Sequence, residues 1–264
     1  MASDHLKVGS EQQRRRNRII SRLNLLVFLS PTLLFVLVFI AFPVAFSGYL
    51  SLTEFNYAAD EAPSFIGLNG YWERVAEDGF FHTALYNQMR FAIAYFVITF
   101  LGSLIIAILI NELNRGVQVF QIIFYMPMII PLSLVGITFS WILSPDVGVV
   151  NHILRSIGLE HLAVNWLGLP QTALYSLVAA RSWKMMGFTL IIFLAGLQGI
   201  SRNLREAARV DGANFFQEIV LVVIPNLKPY MLVSSIWILI NALKVFELPQ
   251  VVTGGGPGQA TLTL

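Results

Sequence analysis

The sequence predicts an all-α protein that crosses a membrane several times, and three observations favour this fold class. Of the 264 residues, 56% are hydrophobic and only 12% are charged, whereas a soluble globular domain carries about 25% charged residues. The mean hydropathy is +0.70. Apolar stretches of roughly 20 residues, the length needed to cross a bilayer core, recur along the chain. Such stretches must be helical, because lipid cannot satisfy open backbone groups.

Basic residues crowd the start of the chain and predict its orientation. Residues 1–24 form a basic segment directly before the first apolar stretch, and this position indicates a cytoplasmic N-terminus rather than nucleic-acid binding. The apolar run Leu25–Tyr49 is too long for the core of an ordinary signal peptide and lacks a clear A-x-A cleavage site. We therefore interpret it as a retained first span. The clustered arginines are Arg14, Arg15, Arg16, Arg18 and Arg22.

Residues 25–264 are predicted to form one transmembrane domain with five spans. Alternating spans place segments 51–88 and 144–171 outside and the polar loop 201–225 in the cytoplasm, in agreement with the arginines of that loop. Pro127 and Pro131 interrupt the third span, which membrane helices tolerate where neighbours satisfy the freed carbonyl groups. The predicted spans are about Leu25–Tyr49, Met89–Ile110, Ile122–Leu143, Thr172–Leu197 and Pro229–Leu248.

The first half of the polar loop has the pattern of a short helix. Ser201 can cap this helix by accepting a hydrogen bond from a backbone N–H group. Leu204, Ala207 and Ala208 have the spacing of one apolar helix face. The helix should end at Asp211-Gly212, because glycine adopts the left-handed conformation without steric cost.

The second half of the loop predicts another helix. This helix can run from Asn214 toward Val223, and Pro225 is expected to end it. The loop would then consist of two helices joined by a glycine turn, with alanines small enough to permit close approach by another protein. An amphipathic linker lying at the membrane surface is the alternative interpretation.

The loop also resembles the EAA loop of bacterial ABC-importer permeases, whose pattern is E-A-A-x3-G-x9-I-x-L-P. Val222 and Ile224 keep the apolar character of the family Ile and Leu. Asp211 directly precedes the glycine of the motif. The residues that fall in register are Glu206, Ala207, Ala208, Gly212 and Pro225.

This resemblance implies a type I ABC importer permease of the carbohydrate-uptake kind, in the inner membrane of a bacterium. In that family the loop docks in a cleft of the ATPase subunit, and Glu206 would pair with a basic residue there. The implied partners are a second permease, two ATPase subunits, an external solute-binding protein and membrane lipid, with no nucleic acid. ATP and Mg²⁺ would bind the ATPase, so the chain itself is expected to carry no cofactor and no enzymatic activity.

The resemblance covers nearly the whole chain after residue 25 and includes an external loop, Thr253–Pro257. Permeases of the MalF-like type continue from such a loop into a further helix. A sixth span is therefore expected beyond Leu264. A fragment, a truncated form or an incompletely determined sequence would each account for the early end.

Two cations lie inside the fourth apolar stretch, well away from its cytoplasmic end. A charge near the bilayer centre costs at least ~2.5–3.5 kcal/mol and usually faces a cavity or a partner. Arg181 shares a helix face with Met185 and Phe188, and Lys184 is one turn away. The alternatives to a pathway role are snorkelling to the outer interface and structural pairing.

The resembling maltose permease contacts its sugar through this helix and the following one. Carried over, this adds Asn241 and Lys244 to the candidate substrate pathway, although Lys244 could instead pair with Glu247 at i, i+3. Two cations near the pathway, Arg181 and Lys184, would also suit a phosphorylated polyol. The solute is otherwise open among disaccharides, monosaccharides and glycerol phosphates.

Several other classes of site and function are disfavoured. Cysteine is absent, which excludes disulfides and thiolate metal sites. The run Gly254–Gly258 lacks the G-K-[ST] ending of a phosphate-binding loop, and the four histidines lack metal-site spacing. An autonomous secondary transporter or channel, the alternative function, would predict inverted repeats, and none is evident. A membrane enzyme would need convergent acidic, basic or metal-binding residues within the spans.

Overall fold

The computed structural model describes residues 25–54, 63–113 and 115–264. The basic segment 1–24 therefore lies outside the described residues. The chain divides into two compact units, Met1–Asp78 and Gly79–Leu264. In both units the described residues are mainly helical, as the composition predicts.

The first unit contains one long apolar helix and a small polar part. Helix α1 (Leu25–Leu50) is long and apolar enough to cross a membrane. Strands β1 (Thr53–Glu54) and β2 (Ser64–Phe65) pair antiparallel, with Thr53 opposite Phe65. Helix α2 (Asn69–Glu77) follows.

The second unit is a helical bundle. Among the described residues of the whole chain, four helices can span a membrane by length and composition, and a bent helix pair makes a fifth if it counts as one span. The prediction of five spans is confirmed in this sense. The helices of the unit are α3 (Gly79–Asn111), α4 (Val117–Ile129), α5 (Leu132–Ile142), α6 (Val149–Ser156), α7 (Pro170–Gln198), α8 (Arg202–Val210), α9 (Phe215–Leu243) and α10 (Glu247–Thr253).

Helices α3 and α7 form the centre of this bundle and run parallel. Thr99 Oγ1 donates to Ser182 Oγ at 3.1 Å, and one turn later Ser103 Oγ donates to the Met186 carbonyl at 3.1 Å. Four residues further along α3, the partner is also four residues further along α7, so the two helices run in the same direction. The chain must return across the bundle between two parallel spans, and α4 and α5 provide that return. Large apolar side chains such as Phe193 fill the core between them.

The return segment is broken, because α5 is bent by 101° from α4. Pro131 has no N–H group, and it disfavours a helical conformation for the residue before it. Ile130 accordingly adopts an extended conformation with ψ of 130°. The interruption expected from Pro127 and Pro131 is therefore found at Pro131, whereas Pro127 lies inside α4.

The prediction for the start of the fifth span was wrong. The span does not begin near Pro229, because α9 is continuous from Phe215 to Leu243. Pro225 does not end a helix either. A proline ring clashes with the carbonyl group four residues earlier in a regular helix. Here the backbone widens into π turns over Ile219–Val223 immediately before the proline, and the helix continues through it.

The far end of α9 also differs from the prediction. The helix ends at Leu243, and a short break separates it from α10. Gly136 of α5 packs so closely against α10 that an added Cβ atom would lie 2.7 Å from Val252. The predicted end at Leu248 was wrong because α10 packs on α5 as a separate helix.

Candidate functional site

The loop that carries the sequence motif begins with α8. Ser201 occupies the capping position as predicted, but its side chain makes no capping hydrogen bond. The end of α8 is as predicted. Gly212 has a φ of +88°, and Ala213 N–H donates to the Ala208 carbonyl at 2.9 Å. With the bond from Gly212 N–H to the Arg209 carbonyl, this is a Schellman motif, which closes the helix on its own carbonyl groups.

The second helix of the loop begins where the sequence predicts. Asn214 Oδ1 accepts from the Gln217 backbone N–H at 2.9 Å, and Gln217 Oε1 accepts from the Asn214 N–H at 2.8 Å. This reciprocal capping box satisfies two backbone donors at the start of α9. Both ends of the glycine turn are therefore closed by local hydrogen bonds, which defines the angle between α8 and α9.

The motif residues of α8 are presented on an exposed surface. Leu204 is 50% exposed, Ala207 is exposed and Ala208 is half-buried, so their shared apolar face is open on this chain. Glu206 has 56% side-chain exposure and pairs with Arg202 at 2.8 Å. An exposed pair of this i, i+4 type contributes only about 0.3–0.5 kcal/mol. Glu206 can therefore exchange this partner for another cation at little cost.

Four charged residues hold the loop to the rest of the bundle. Arg205 donates to Glu112, just after α3, and to Glu218, which lies near the start of α9 and has a side-chain exposure of 1%. Arg209 Nε donates to the second oxygen of Glu218 at 2.7 Å. We call Glu112, Arg205, Arg209 and Glu218 the ion cluster. It joins α8, α9 and the end of α3 through charge-assisted hydrogen bonds.

The electrostatics of the two arginines reflect these bonds. Hydrogen bonds to Glu218 raise the pKa of Arg209. Burial lowers the pKa of Arg205, but hydrogen bonds to Glu112 and Glu218 outweigh this effect and raise it overall. Both guanidinium groups therefore remain charged at any physiological pH.

Sequence reasoning missed both carboxylates of the ion cluster. Glu112 lies far from the motif in sequence, and only the packing of α3 brings it to Arg205. Glu218 did carry a signal, because it is an acidic residue at the edge of an apolar run. Two arginines, Arg205 and Arg209, lie in the preceding helix. A buried charge requires a partner, and the two arginines supply it.

Part of the predicted substrate pathway is brought together between α7 and α9. Arg181 is 5% exposed, and its Nη2 lies 3.4 Å from the Asn241 carbonyl oxygen. Asn241 Nδ2 donates to the Trp237 carbonyl at 2.9 Å, and the Trp237 ring packs on Phe188 with centroids 4.6 Å apart. Tyr95 of α3 interacts electrostatically with Arg181. We call these five residues the α7–α9 polar cluster.

Some polar atoms of this cluster remain unpaired. Arg181 Nε and Trp237 Nε1 are buried and have no hydrogen-bond partner among the described residues. The buried Tyr95 OH interacts with the Arg181 side chain but forms no hydrogen bond within 3.5 Å. Most buried polar groups in proteins are hydrogen-bonded, so such groups require an explanation. They can bind hydroxyl or carbonyl groups of a polar molecule.

Lys184 lies on another side of α7, at the broken span. Its Nζ donates to the Met128 carbonyl at 2.7 Å and to the Ile130 carbonyl at 2.5 Å. These are carbonyl groups released where the helix breaks at Pro131. The side chain is 6% exposed and does not snorkel to the interface in this conformation.

The remaining two pathway candidates have different surroundings. Met185 is half-buried and packs against the apolar core. Lys244 is exposed directly after α9. Within the described residues Lys244 forms no ion pair with Glu247, contrary to the structural alternative considered for it. The structure thus groups Arg181, Phe188 and Asn241, and it leaves Lys244 apart from them.

Comparison with known proteins agrees with this architecture. The family described as "Binding-protein-dependent transport system inner membrane component" matches residues 101–264. A probable ABC transporter permease protein, YurN, of Bacillus subtilis (strain 168) is 33% identical over 251 residues, which cover 94% of this chain and 84% of the relative. The trehalose/maltose transport system permease protein MalF of Thermococcus litoralis is 35% identical over 234 residues, which cover 89% of this chain and 78% of the relative.

A solved structure is similar over almost the whole chain. It is a bacterial alginate ABC transporter in complex with a periplasmic protein that carries an alginate pentasaccharide, and the match has a TM-score of 0.75 and 26% identity. It covers 93% of this chain and 81% of that one. The helical bundle is accordingly a type I importer permease fold, and an autonomous carrier or channel is no longer needed as an alternative. This chain belongs to the family of inner-membrane permease components of binding-protein-dependent ABC transport systems.

Proposed function

We propose that this chain is the transmembrane subunit of an ATP-driven importer of carbohydrates or related polyols. It would act with a second permease, two ATPase subunits and an external solute-binding protein, and its N-terminus would lie in the cytoplasm. ATP and Mg²⁺ would bind the ATPase subunits, and this chain would contribute no catalytic residue. The proposal rests on one observation: α8 and the start of α9 form an exposed helix pair around Glu206, and local hydrogen bonds close the turn between the two helices.

The loop would transmit movement of the ATPase to the spans. The open face of Leu204 and Ala207 suits contact with a cleft of another protein, and Glu206 would exchange Arg202 for a basic residue of that cleft. The Schellman motif and the ion cluster oppose bending of the loop. A displacement of α8 would therefore be passed to α3 and α9 together, and it would shift the balance between inward-open and outward-open states.

The α7–α9 polar cluster would face the solute during transport. Its unpaired donors suit the hydroxyl groups of a carbohydrate, and the aromatic rings of Phe188 and Trp237 suit its apolar face. Lys184 already uses two of its three donors on backbone carbonyls. This leaves Arg181 as the principal cation of the cluster, and it favours an uncharged or singly anionic solute. The sugar-related names of the relatives support the same class.

Reconstitution tests the proposed function directly. The chain would be purified in mild detergent together with the proteins that accompany it, and then inserted into liposomes with ATP inside. We expect an ATPase subunit and a second permease in fixed ratio, and uptake of a radiolabelled sugar only with ATP and the solute-binding protein. ATP-independent uptake by the chain alone would overturn the proposal.

A second experiment tests the solute pathway. Arg181→Gln removes the charge but keeps a hydrogen-bond donor, and Glu160→Gln changes an exposed residue of an external turn as a control. We expect Arg181→Gln to lower the uptake rate at least about tenfold, the effect of losing roughly 1.4 kcal/mol of solute interaction, while ATPase subunits still co-purify. Unchanged uptake by Arg181→Gln would remove this residue from the pathway.

A further inference from the structure

Arg90 forms an unusual cationic site on the surface of α3. Its guanidinium group lies 5.4 Å from the ring centroids of both Tyr86 and Tyr175, and its Nη2 donates to Tyr175 OH at 3.2 Å. Within the described residues Arg90 forms no ion pair. Two aromatic walls thus hold the charge in place and leave it available to an anion.

The position of Arg90 along α3 places it at a membrane surface. Glu112 and its arginine partners mark one end of this span. At ~1.5 Å of rise per helical residue, Arg90 lies about 33 Å from Glu112. The hydrocarbon core of a bilayer is about 30 Å thick. Arg90 therefore lies at the depth of the lipid phosphates at the opposite surface, where tyrosine is also enriched in membrane proteins.

The face of α3 that carries Arg90 is otherwise apolar and exposed on this chain. Tyr86, Ile93 and Val97 follow the helical spacing of Arg90, and they are 64%, 65% and 45% exposed. Such a stripe below a cation at phosphate depth is complementary to a phospholipid, whose anionic group lies directly above its acyl chains. A soluble anion would not need the stripe.

Tyr175 also lines a cavity of about 260 Å³. It is lined mainly by apolar and aromatic groups, including Phe139, Leu143, Trp166 and Ala179. Two of its polar wall residues, Thr172 and Ser176, use their hydroxyls to bond to backbone carbonyls. Sites for whole small molecules are usually about 300–1,000 Å³. This smaller cavity suits part of an acyl chain.

We propose that Arg90, Tyr86 and Tyr175 bind the phosphate of a phospholipid, with acyl chains along the α3 stripe and in the cavity beside Tyr175. The guanidinium donates to the phosphate oxygens, and both tyrosine rings restrict its orientation. This proposal rests on the proposed function only for the choice of leaflet. If loop 201–225 lies in the cytoplasm, Arg90 lies in the outer leaflet.

Native mass spectrometry of the purified complex tests the site. The complex would be taken from nanodiscs that contain phosphatidylglycerol and phosphatidylcholine, and then released by graded detergent exchange. We expect one phospholipid to remain on the wild-type complex, and retention to fall at least about threefold in Arg90→Gln. Tyr175→Phe, which keeps the ring but loses the hydroxyl, should give a smaller fall. Lys228→Gln, at an exposed cation near the middle of α9, is the control and should retain the lipid.

Three results would overturn the lipid site. Equal retention by wild type and Arg90→Gln would show that the charge holds no lipid. Retention of diacylglycerol, which lacks a phosphate, as strongly as phosphatidylglycerol would also exclude it. Loss of the second permease from Arg90→Gln, with lipid retention unchanged, would assign Arg90 to an acidic residue of that subunit. Sugar uptake is a separate measurement, so retained lipid without uptake would contradict the proposed transport function alone.

Discussion

Glu206 accepts a hydrogen bond from Arg202 Nε at 2.8 Å on the exposed side of α8, outside the ion cluster that holds the loop. Glu218, in contrast, is buried and bound by two arginines. The loop therefore contains two kinds of carboxylate. One can change partner at low cost, and the other supports the backbone.

Replacing Glu206 should separate transport from stability. Glu206→Ala removes only an exposed i, i+4 pair, so the melting temperature should change little, as expected for about 0.5 kcal/mol or less. Uptake of sugar should fall at least about tenfold because the proposed contact with the ATPase is lost. Both quantities are measured on the same preparation, with Glu160→Ala as the control. Wild-type uptake by Glu206→Ala would contradict the coupling role.

The turn at Gly212 should be sensitive to its backbone conformation and not to crowding. Nothing lies within 4 Å of a Cβ atom added there, yet its φ is +88°. Gly212→Val should cost roughly 1–2 kcal/mol of left-handed strain, tilt α8 and lower uptake.

Gly158 provides a matched control for this prediction. It has a φ of +80°, follows α6 in a segment that we propose to be external, and is equally open. Gly158→Val should show a similar fall in melting temperature with normal ATP-dependent uptake. Equal loss of uptake in both variants would show that general destabilisation explains the effect.

Loss of Glu218 should loosen the loop locally. Glu218→Gln leaves two arginines with a weaker acceptor, and this should cost about 1–3 kcal/mol. Because trypsin cleaves after arginine, local opening of α8 should speed cleavage at Arg205 and Arg209. Glu112→Gln should have a smaller effect, because Glu112 is 33% exposed. Cleavage at the wild-type rate in Glu218→Gln would show that the ion cluster does not hold α8.

Lys184 should stabilise the broken span whether or not it also meets the solute. Lys184→Met leaves the carbonyl groups of Met128 and Ile130 without their donor, and unsatisfied buried groups cost about 1–3 kcal/mol each. We expect a lower melting temperature in detergent, with Lys228→Met as a control at an exposed position. An unchanged melting temperature would mean that water or backbone adjustment satisfies both carbonyls.

Much of the fold and the motif could be predicted because both depend on local sequence. The helical spans follow from long apolar stretches, and the end of α8 follows from the special conformation of Gly212. The start of α9 at Asn214 was predicted, but the continuation of this helix into the fifth span was not, because Pro225 was expected to end the helix. Pro225 misled the prediction, since a widened π turn accommodates it.

The candidate site shows the same division. The helix face with Ala207 was predicted from spacing, whereas Glu206 was singled out by the resemblance to a family loop, and its coupling role stays a prediction. The roles of Arg205 and Lys184 depend on atoms of distant segments, Glu112 in one case and the carbonyl groups of the broken span in the other. A charged side chain in an apolar stretch indicates that a partner exists, but the sequence does not identify that partner.

The sequence by itself determined the membrane class, the helical spans and the family motif, because hydrophobic length and backbone conformational preference act over a few turns. The tertiary structure decided which charges meet and where the fifth span begins. It also decided that Arg181 lies in the α7–α9 polar cluster, whereas Lys184 bonds to the broken span. Electrostatic pairing in a low-dielectric interior depends on distances of a few ångströms between elements. Those distances are set by helix packing and not by separation along the chain.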